Sequence, residues 1–435
     1  MADKDNKTKR IKPDLPGGFR DYGPREARMK QWILDTARMT FESFGFEPLE
    51  TSAVQRTEVL TGGELDAQKI IFNLSSSAVF GDDTSEKIAE KGKLSLRFDL
   101  TVPLARFVAG NPDIPRPFKR YEIGRVWRGE RQQAGRYREF TQADADIVGS
   151  ASAAADAEII ALVYTTLKNL GIQNFIITIN DRKELDALPS FAGFPTEKQW
   201  EVLRIIDKKD KIGAAGAAEE LQKEFGKESS EKIMAFLTAP VAAAGTLAEI
   251  AEMLDAMGID RKYWRTDRAL VRGLSYYTGP VFETILTEAP EIGSVFGGGR
   301  YDDLVMSFTG QEVPAVGVSL GVDRLIAGLE RMDATPKVRS ATPQVLILNL
   351  LPEEKKEYLA MAAELRAAGI AASVYLGSDA SLQGQLAYAI KKGVSYIVII
   401  GEEEKKKGVV AVKNLATREQ EEIPREKLIA YFKPS

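Results

Sequence analysis

The chain has neither cysteine nor histidine among its 435 residues. The absence of cysteine excludes disulfide bonds, thiolate nucleophiles and cysteine-ligated zinc. The absence of histidine excludes Ser-His-Asp triads, HExxH metalloproteases and every imidazole general base. Chemistry in this protein must therefore rely on arginine, lysine, carboxylates, amides, tyrosine, the backbone or a hard metal ion. Phosphate and acyl-adenylate chemistry fits that set, because positioning and charge stabilisation can suffice without a protein acid or base.

Long apolar runs are also missing, since no stretch approaches the roughly 20 residues that cross a bilayer. Residues 1–14 are polar and charged and lack the apolar core of a signal peptide, so we interpret them as a flexible leader. We therefore expect a cytoplasmic protein without a membrane partner. The net charge of −4 excludes a wholly basic nucleic-acid binder, so RNA contacts would use local basic patches such as 208–211 and 261–268. Taken alone, such runs are more often solvated helix faces.

The order of the predicted elements indicates an α+β protein with more than one domain. A helix over residues 25–44 stops at Gly45, and the next strand contains Pro48, a residue typical of sheet edges. A helix-forming stretch at about 190–262 reads as an insertion into a mostly β catalytic domain that covers 15–335. The remaining predictions for this domain are strands at 94–100, 118–127, 136–149, 269–284 and 315–320, a helix at 153–170 and a polar loop at 75–92.

The tail of the chain changes character after a polar linker at 331–342. Strand-like segments such as QVLILNL and SYIVIIG alternate with amphipathic helical segments such as KKEYLAMAAELRAAG. Strands that alternate with helices predict a compact α/β domain with its own core. We assign this domain to residues 343–435.

The strand at 136–149 has two chemically different faces, because side chains alternate along a strand. One face carries Arg138, Phe140, Gln142, Asp144 and Asp146, and the other carries small and apolar residues. Buried unpaired carboxylates are costly, so the first face should meet solvent, a cation or a ligand. The alternative is a plain amphipathic surface strand, and the alternation alone favours it.

Arginines are concentrated near this strand. In LSLRFDLTVPLARF, read as a second strand, Arg97, Asp99 and Thr101 would share a face. The segment RGERQQAGRYRE reads as a long hairpin loop that presents guanidinium groups. Arginine binds phosphate and carboxylate oxygens bidentately, so a nucleotide or an RNA end is a natural partner. The alternative is an exposed charged hairpin without a ligand.

Glycines mark two further segments. In GSVFGGGRYDDL, three glycines after a short strand let the backbone approach a ligand closely. PAVGVSLGVDRLIAGLE reads as a strand, Gly321 and a helix with Arg324 in its first turn. An arginine there adds to the positive helix N-terminus, which suits a polyphosphate.

Together these segments resemble the histidyl-tRNA synthetase family over essentially the full chain. The first helix and the Pro48 strand resemble motif 1 of class II synthetases, GRVWRGERQQAGRYREF resembles motif 2, and GVSLGVDRL resembles motif 3. RGLSYYTG and GGGRYDDL are similar to two segments particular to the histidine enzymes. No Walker A or GxGxxG phosphate loop is present, which agrees with the class II way of holding ATP.

The resemblance implies a homodimer with a six-stranded antiparallel catalytic core, a helical insertion near the acceptor stem and a C-terminal anticodon-binding domain. Its substrates would be L-histidine, ATP with Mg²⁺, and tRNA(His). It also implies roles for individual residues. Arg128 and Arg324 would bind the ATP phosphates, with Glu130 near the adenine, and Arg272 would stabilise the charge of the α-phosphate. Asp99, Thr101 and Gln142 would bind the amino and carboxylate groups of histidine, while Asp146 and Tyr277 would bind the imidazole nitrogens and Tyr301 would line the pocket. Arg131 and Gln133 would contact the tRNA acceptor end.

One departure from the family pattern concerns the arginine segment, where Ser275 stands in place of the usual aspartate. We hypothesise that Ser275 weakens activity by loosening this segment without abolishing activity, and a Ser275→Asp variant with unchanged turnover would remove that concern. Two other functions stay open: a regulatory paralogue that controls ATP phosphoribosyltransferase, and a non-catalytic RNA-binding or sensor protein. The first usually lacks the C-terminal domain and the arginines, whereas the second would bind tRNA without forming an adenylate.

Overall fold

The structure, a computed structural model, describes residues 11–62, 70–74, 93–130, 135–239, 245–271, 277–334 and 342–433. The chain divides into two compact units, Met1–Pro336 and Lys337–Ser435. Among the described residues, no helix is both long and apolar enough to cross a membrane. The polar loop predicted at 75–92 and most of the linker lie outside the described residues.

The first unit is built on a large mixed sheet of eight strands. Its six central strands run antiparallel, as expected, and two short edge strands add parallel pairs. In order across the sheet the strands are β1 (Glu47–Pro48), β5 (Phe118–Trp127), β6 (Glu139–Val148), β11 (Ala315–Gly321), β10 (Ser294–Arg300), β9 (Pro280–Leu286), β7 (Phe175–Asp181) and β8 (Trp264–Thr266). Pro48 lies at the edge, as predicted. A second, three-stranded sheet contains β2 (Val54–Arg56), β4 (Leu94–Leu96) and β3 (Phe72–Asn73).

Helices cover one face of the large sheet and bury its main apolar core. The predicted helices at 25–44 and 153–170 are confirmed as α1 (Pro24–Ser43) and α4 (Ala153–Asn169). Four more helices of the unit are α2 (Thr57–Thr61), α3 (Thr101–Gly110), α10 (Met306–Thr309) and α11 (Val322–Arg331). Because α11 begins directly after β11, the end of the strand and the first turn of the helix lie next to each other in space.

The helical insertion has its own apolar core. It contains α5 (Leu188–Ala192), α6 (Gln199–Asp207), α7 (Lys209–Phe225), with a kink at Gly213, and α8 (Lys227–Thr238). The last helix of the predicted stretch, α9 (Thr246–Ala256), differs from the others, because Leu247, Ile250 and Leu254 pack into the main core beside α4. The inserted body is therefore shorter than the helix-forming stretch in the sequence.

Three strand predictions were wrong in part. The strand predicted at 94–100 ends at Leu96, and Thr101 begins α3, because Oδ1 of Asp99 accepts a hydrogen bond from the Val102 amide (3.2 Å) and fixes a helix start. Of the strand predicted at 269–284, residues 272–276 lie outside the described residues, and within the described part the strand begins only at Pro280, the first residue of β9. The three glycines of GGGR lie within β10 and do not follow it. A Cβ at Gly298 would lie 2.1 Å from the Gly317 carbonyl oxygen, so glycine permits this close strand packing.

The second unit is an α/β domain with its own core, as predicted. Its sheet has the order β13-β12-β14-β15-β16, formed by β12 (Val345–Ile347), β13 (Ala372–Val374), β14 (Tyr396–Ile399), β15 (Val409–Asn414) and β16 (Gln420–Pro424). Its helices are α12 (Lys355–Ala367), α13 (Leu382–Lys392), α14 (Glu402–Lys407) and α15 (Leu428–Phe432). The sequence patterns missed β16 and α14.

Candidate active site

A cavity of about 370 Å³ lies on the face of the large sheet formed by β6, β10 and β11. Every predicted site residue that the structure describes lines it: Asp99, Thr101, Arg128, Glu130, Gln142, Asp146, Tyr277, Tyr301 and Arg324. The other predicted residues, Arg131, Gln133 and Arg272, lie outside the described residues, as does Ser275. These nine side chains come from segments far apart in the chain, so the fold creates their proximity.

The alternating strand β6 forms the floor of this cavity. Gln142, Asp144 and Asp146 face the cavity and are 7%, 2% and 3% exposed, respectively. Ala143, Ala145 and Ile147 on the opposite face pack in the main core. The alternative of a plain surface strand is therefore wrong: the carboxylate face is buried and meets a cavity.

Asp146 is held from three sides. The hydroxyl of Tyr301 donates to Oδ1, and Nη2 of Arg120 lies 3.0 Å from Oδ2. A Cβ at Gly317 would lie 1.8 Å from Oδ1, so the carboxylate occupies space that only glycine leaves. Burial raises the pKa of Asp146, while the Arg120 guanidinium opposes that shift. Asp146 is thus a buried, oriented carboxylate whose charge is balanced by Arg120.

A buried network under the floor supports this arrangement. Arg120 is fully buried and donates to the Leu100 carbonyl (2.9 Å) at the start of α3. Nη1 of Arg97 donates to Glu122 (2.7 Å), which also accepts from the amide and hydroxyl of Thr51. Arg97 is therefore directed into this network and does not share a face with Asp99 and Thr101, contrary to the prediction. Sequence analysis also missed Arg120 and Glu122, although charged residues within a strongly β-like segment are a usable signal.

Asp99 and Thr101 reach the cavity from the start of α3. Burial raises the pKa of Asp99 to about 6, and Arg128 opposes the shift. Arg128 itself is held by its Nε, which donates to the Phe98 carbonyl (2.9 Å), and its guanidinium lies 5.2 Å from the centre of the Phe140 ring. The carboxylate and the guanidinium thus lie at neighbouring positions of one cavity wall.

Arg324 approaches the cavity from the first turn of α11. Its Nη1 donates to the Ser294 carbonyl (2.8 Å). The predicted order of strand, Gly321 and helix is confirmed, because β11 ends at Gly321 and α11 begins at Val322. The helix N-terminus and two arginines, Arg128 and Arg324, make this part of the cavity electropositive, whereas the β6 floor is acidic.

Asp144 and Ser319 are among the polar residues of the cavity that had no predicted role. Nε2 of Gln142 donates to the Ser319 hydroxyl (2.6 Å), which stands in register with Asp144. Within the part of the chain that the structure describes, Oδ1 of Asp144 and Oε1 of Gln142 accept no hydrogen bond. Burial and the neighbouring Asp146 raise the pKa of Asp144 to about 8. The alternation along β6 already placed Asp144 on this face, although no motif marked it.

Acidic side chains of the described residues do not converge into a metal site: no group of three or more has the arrangement to hold an ion. Mg²⁺ typically keeps several waters and binds substrate phosphates with one or two carboxylates. The cavity-lining carboxylates among the described residues therefore form no metal cage of their own, and Mg²⁺ would be held mainly through substrate phosphates.

Several known proteins are similar to this chain over nearly its whole length. A histidine–tRNA ligase of Paracoccus denitrificans is 41% identical over 95% of this chain and 92% of its own length. A histidine–tRNA ligase of Wolinella succinogenes is 40% identical over 94% of this chain and 95% of its own length. The crystal structure of histidyl-tRNA synthetase from Nostoc sp. PCC 7120 has a TM-score of 0.80 and 32% identity, covering 97% of this chain and 99% of that one.

Two family models account for most of the sequence. The histidyl-tRNA synthetase model matches residues 18–325, which include the large sheet and the whole cavity. The anticodon-binding domain model matches residues 344–434, the second unit. With the cavity geometry and the relatives of nearly equal length, these matches show that the chain belongs to the histidyl-tRNA synthetase family.

Proposed function

We propose that this protein is a histidine–tRNA ligase. It activates L-histidine with ATP, releasing pyrophosphate, and then transfers histidine from the adenylate to the 3′-terminal adenosine of tRNA(His). The observation that carries the proposal is one cavity with an acidic, hydrogen-bonding floor and an electropositive wall. Such a cavity suits an amino acid at one end and a nucleotide at the other.

The acidic end is proposed to select the histidine side chain. Asp146 accepts from one imidazole nitrogen and Tyr277 bonds the other, while Tyr301 holds Asp146 in position. Asp99, Thr101 and Gln142 bind the amino and carboxylate groups. A site built to hydrogen-bond both polar edges of a ring rejects analogues that lack them by about 10⁴-fold or more. The support is that Asp146 is buried, oriented and balanced by Arg120.

The electropositive end is proposed to bind ATP. Arg128 and Arg324 contact its phosphates, Glu130 lies near the adenine, and Arg272 stabilises the α-phosphate as the histidine carboxylate attacks. Mg²⁺ would add charge neutralisation at the phosphates. These roles need no histidine or cysteine, because positioning and electrostatic stabilisation account for catalysis of this kind.

The remaining parts of the proposal concern tRNA and assembly. Arg131 and Gln133 contact the acceptor end, and the second unit binds the anticodon, as its family model suggests. We infer a homodimer through the motif 1 region and a cytoplasmic location. Light scattering of the purified protein tests the dimer, with a mass near twice 47.8 kDa expected.

A regulatory paralogue is the competing function. A structure described as an ATP phosphoribosyltransferase regulatory subunit/histidyl-tRNA synthetase from Bacillus halodurans has a TM-score of 0.64 at 24% identity, which shows a shared fold alone. The second unit and the retained arginines favour the ligase.

ATP–pyrophosphate exchange, with each amino acid offered in turn, separates the two functions. Exchange with histidine alone is expected. No exchange with any amino acid, from folded protein, would support the regulator or a non-catalytic RNA-binding protein.

A further inference from the structure

We propose that Asp144 binds the α-ammonium group of the amino-acid substrate, together with Gln142 and Asp99. This inference rests on the proposed function, since it assigns a further specificity-determining residue within the same cavity. Asp144 lies between Gln142 and Asp146 on the cavity face of β6.

Two unpaired acceptors lie on the cavity side at Asp144, whereas the unpaired donors nearby, Nε and Nη1 of Arg120, belong to the network beneath the floor. Oδ1 of Asp144 and Oε1 of Gln142 are buried and receive no hydrogen bond from the described residues. Gln142 is oriented by its own donation to Ser319, which leaves its oxygen as the available atom. Buried acceptors without a donor are unfavourable, so this part of the cavity is complementary to a ligand that brings several N–H groups.

Asp144 differs from the neighbouring carboxylates in its ion pairing. Glu122 is paired with Arg97, and Asp146 is paired with Arg120. Arg120 also attracts the Asp144 carboxylate, but across the described ranges Asp144 forms no direct ion pair with an arginine or lysine. At neutral pH the α-ammonium is the permanent cation of histidine, whereas most of its imidazole is neutral. Asp146, whose charge is balanced by a direct ion pair with Arg120, suits the neutral ring. Asp144, which has no direct ion pair among the described residues, suits the ammonium.

The spacing of these residues fits one nitrogen atom. Side chains two residues apart on a strand emerge on the same face about 7 Å apart, a span that two charge-assisted hydrogen bonds of about 2.8 Å each can bridge when the side chains lean together. Asp99 lies close enough to influence the pKa of Asp144. Asp99, Gln142 and Asp144 therefore offer three acceptors to the three N–H bonds of an ammonium group.

A comparison of two ligands tests this assignment on the full chain. L-Histidine and 3-(imidazol-4-yl)propionate share the ring and the carboxylate, but only histidine has the amino group. Asp144→Asn is expected to weaken histidine binding by about 10- to 100-fold and to change the propionate affinity by less than about 3-fold, as measured by calorimetry. Asp146→Asn is the matched control on the same strand and face, and it should weaken both ligands.

Equal losses for both ligands in Asp144→Asn, or no loss for either, would overturn the role of Asp144. Failure of the wild-type protein to bind histidine at all would overturn the proposed function, and the inference with it. Histidine binding without adenylate formation would overturn only the proposed activity.

Proton release gives a second test on the unaltered protein. Asp144 has a pKa of about 8 before ligand binding, and it faces Glu122 and Arg120 on β5, Asp146 on β6 and Asp99 before α3, while β11 contributes only Ser319. An ammonium beside it should displace its proton. Calorimetry at pH 7 in buffers of different ionisation enthalpy should detect release of most of one proton with histidine and little with the propionate. Equal release with both ligands would contradict the proposal.

Discussion

Gly317 and Asp146 occupy opposed positions on β11 and β6, and a Cβ on the glycine would lie 1.8 Å from Oδ1 of the aspartate. The absence of a side chain at 317 thus creates the space in which the carboxylate meets Tyr301. Orientation of the proposed imidazole-binding group depends on a residue that offers no polar side chain of its own.

Gly317→Ala should displace Asp146 and reduce kcat/KM for histidine in pyrophosphate exchange by about 100-fold, the typical cost of a misplacement near 1 Å. Gly110→Ala is the control, because a Cβ there meets nothing within 4 Å. Comparable activity of the two variants would show that Asp146 does not need its present position.

Arg120→Met should destabilise the protein even though Arg120 lies beneath the cavity floor. Removing this buried cation leaves Asp146 without its 3.0 Å ion pair and removes the bond to the Leu100 carbonyl. The free energy of unfolding should fall by about 3–5 kcal/mol, as measured by urea denaturation. The double variant Arg120→Met/Asp146→Asn should lose less than the sum of the single losses. Strict additivity would mean that the two groups do not interact.

The stability of the ligand-free protein should decrease as the pH rises from 6 to 8. The pKa of Asp99 is about 6 and that of Asp144 about 8, both above the unfolded value of about 3.9. Folding therefore favours their protonated forms, and this contribution is complete below pH 3.9 and lost as the pH rises through each folded pKa. Asp144 should contribute a slope of up to about −1.4 kcal/mol per pH unit.

Asp144→Asn isolates this effect, since it should flatten the slope between pH 6 and 8 in urea denaturation. The chain contains no histidine, so no imidazole titrates in that range. Lys30, whose pKa burial lowers to about 8, is common to both proteins. An unchanged slope in the variant would contradict the assignment of the titration to Asp144.

Removal of the second unit should separate the two half-reactions. A chain ending at residue 336 keeps the large sheet, the whole cavity and its own apolar core. It should retain histidine-dependent pyrophosphate exchange within about 10-fold and lose most charging of tRNA, because the second unit is the one that we propose to bind the anticodon. The full chain assayed in parallel is the control. Unimpaired charging by the shortened chain would contradict the role of the second unit.

Much of the architecture could be predicted from local sequence patterns. Helices α1 and α4 and strands β5 and β11 have clear periodicity and stop signals, so their bounds were predicted within a few residues. The prediction of a strand over 94–100 was wrong at its end, because a local hydrogen bond from the Val102 amide to Asp99 starts a helix within a β-like run. The position predicted for the three glycines of β10 was also wrong. They lie within the strand because it packs closely against β11, and that neighbour is distant in sequence.

The site was predictable where motifs or alternation marked it. Gln142 and Asp146 stand on one face of a strand, and Arg324 follows a strand–glycine–helix pattern. The ion pairs between distant segments were not predictable, because Arg97 meets Glu122 and Arg120 meets Asp146 only after the strands align. Arg120 and Glu122 themselves lie two residues apart on β5, so their shared face was a usable signal. Pairing between distant segments has no local signal in one sequence.

Charging of tRNA(His) with radiolabelled histidine tests the central claim most directly. The full chain, supplied with ATP, Mg²⁺ and purified tRNA, should form acid-precipitable histidyl-tRNA in proportion to enzyme and time, with none from the other amino acids. Folded protein that binds this tRNA and yet forms neither adenylate nor charged tRNA would contradict the account.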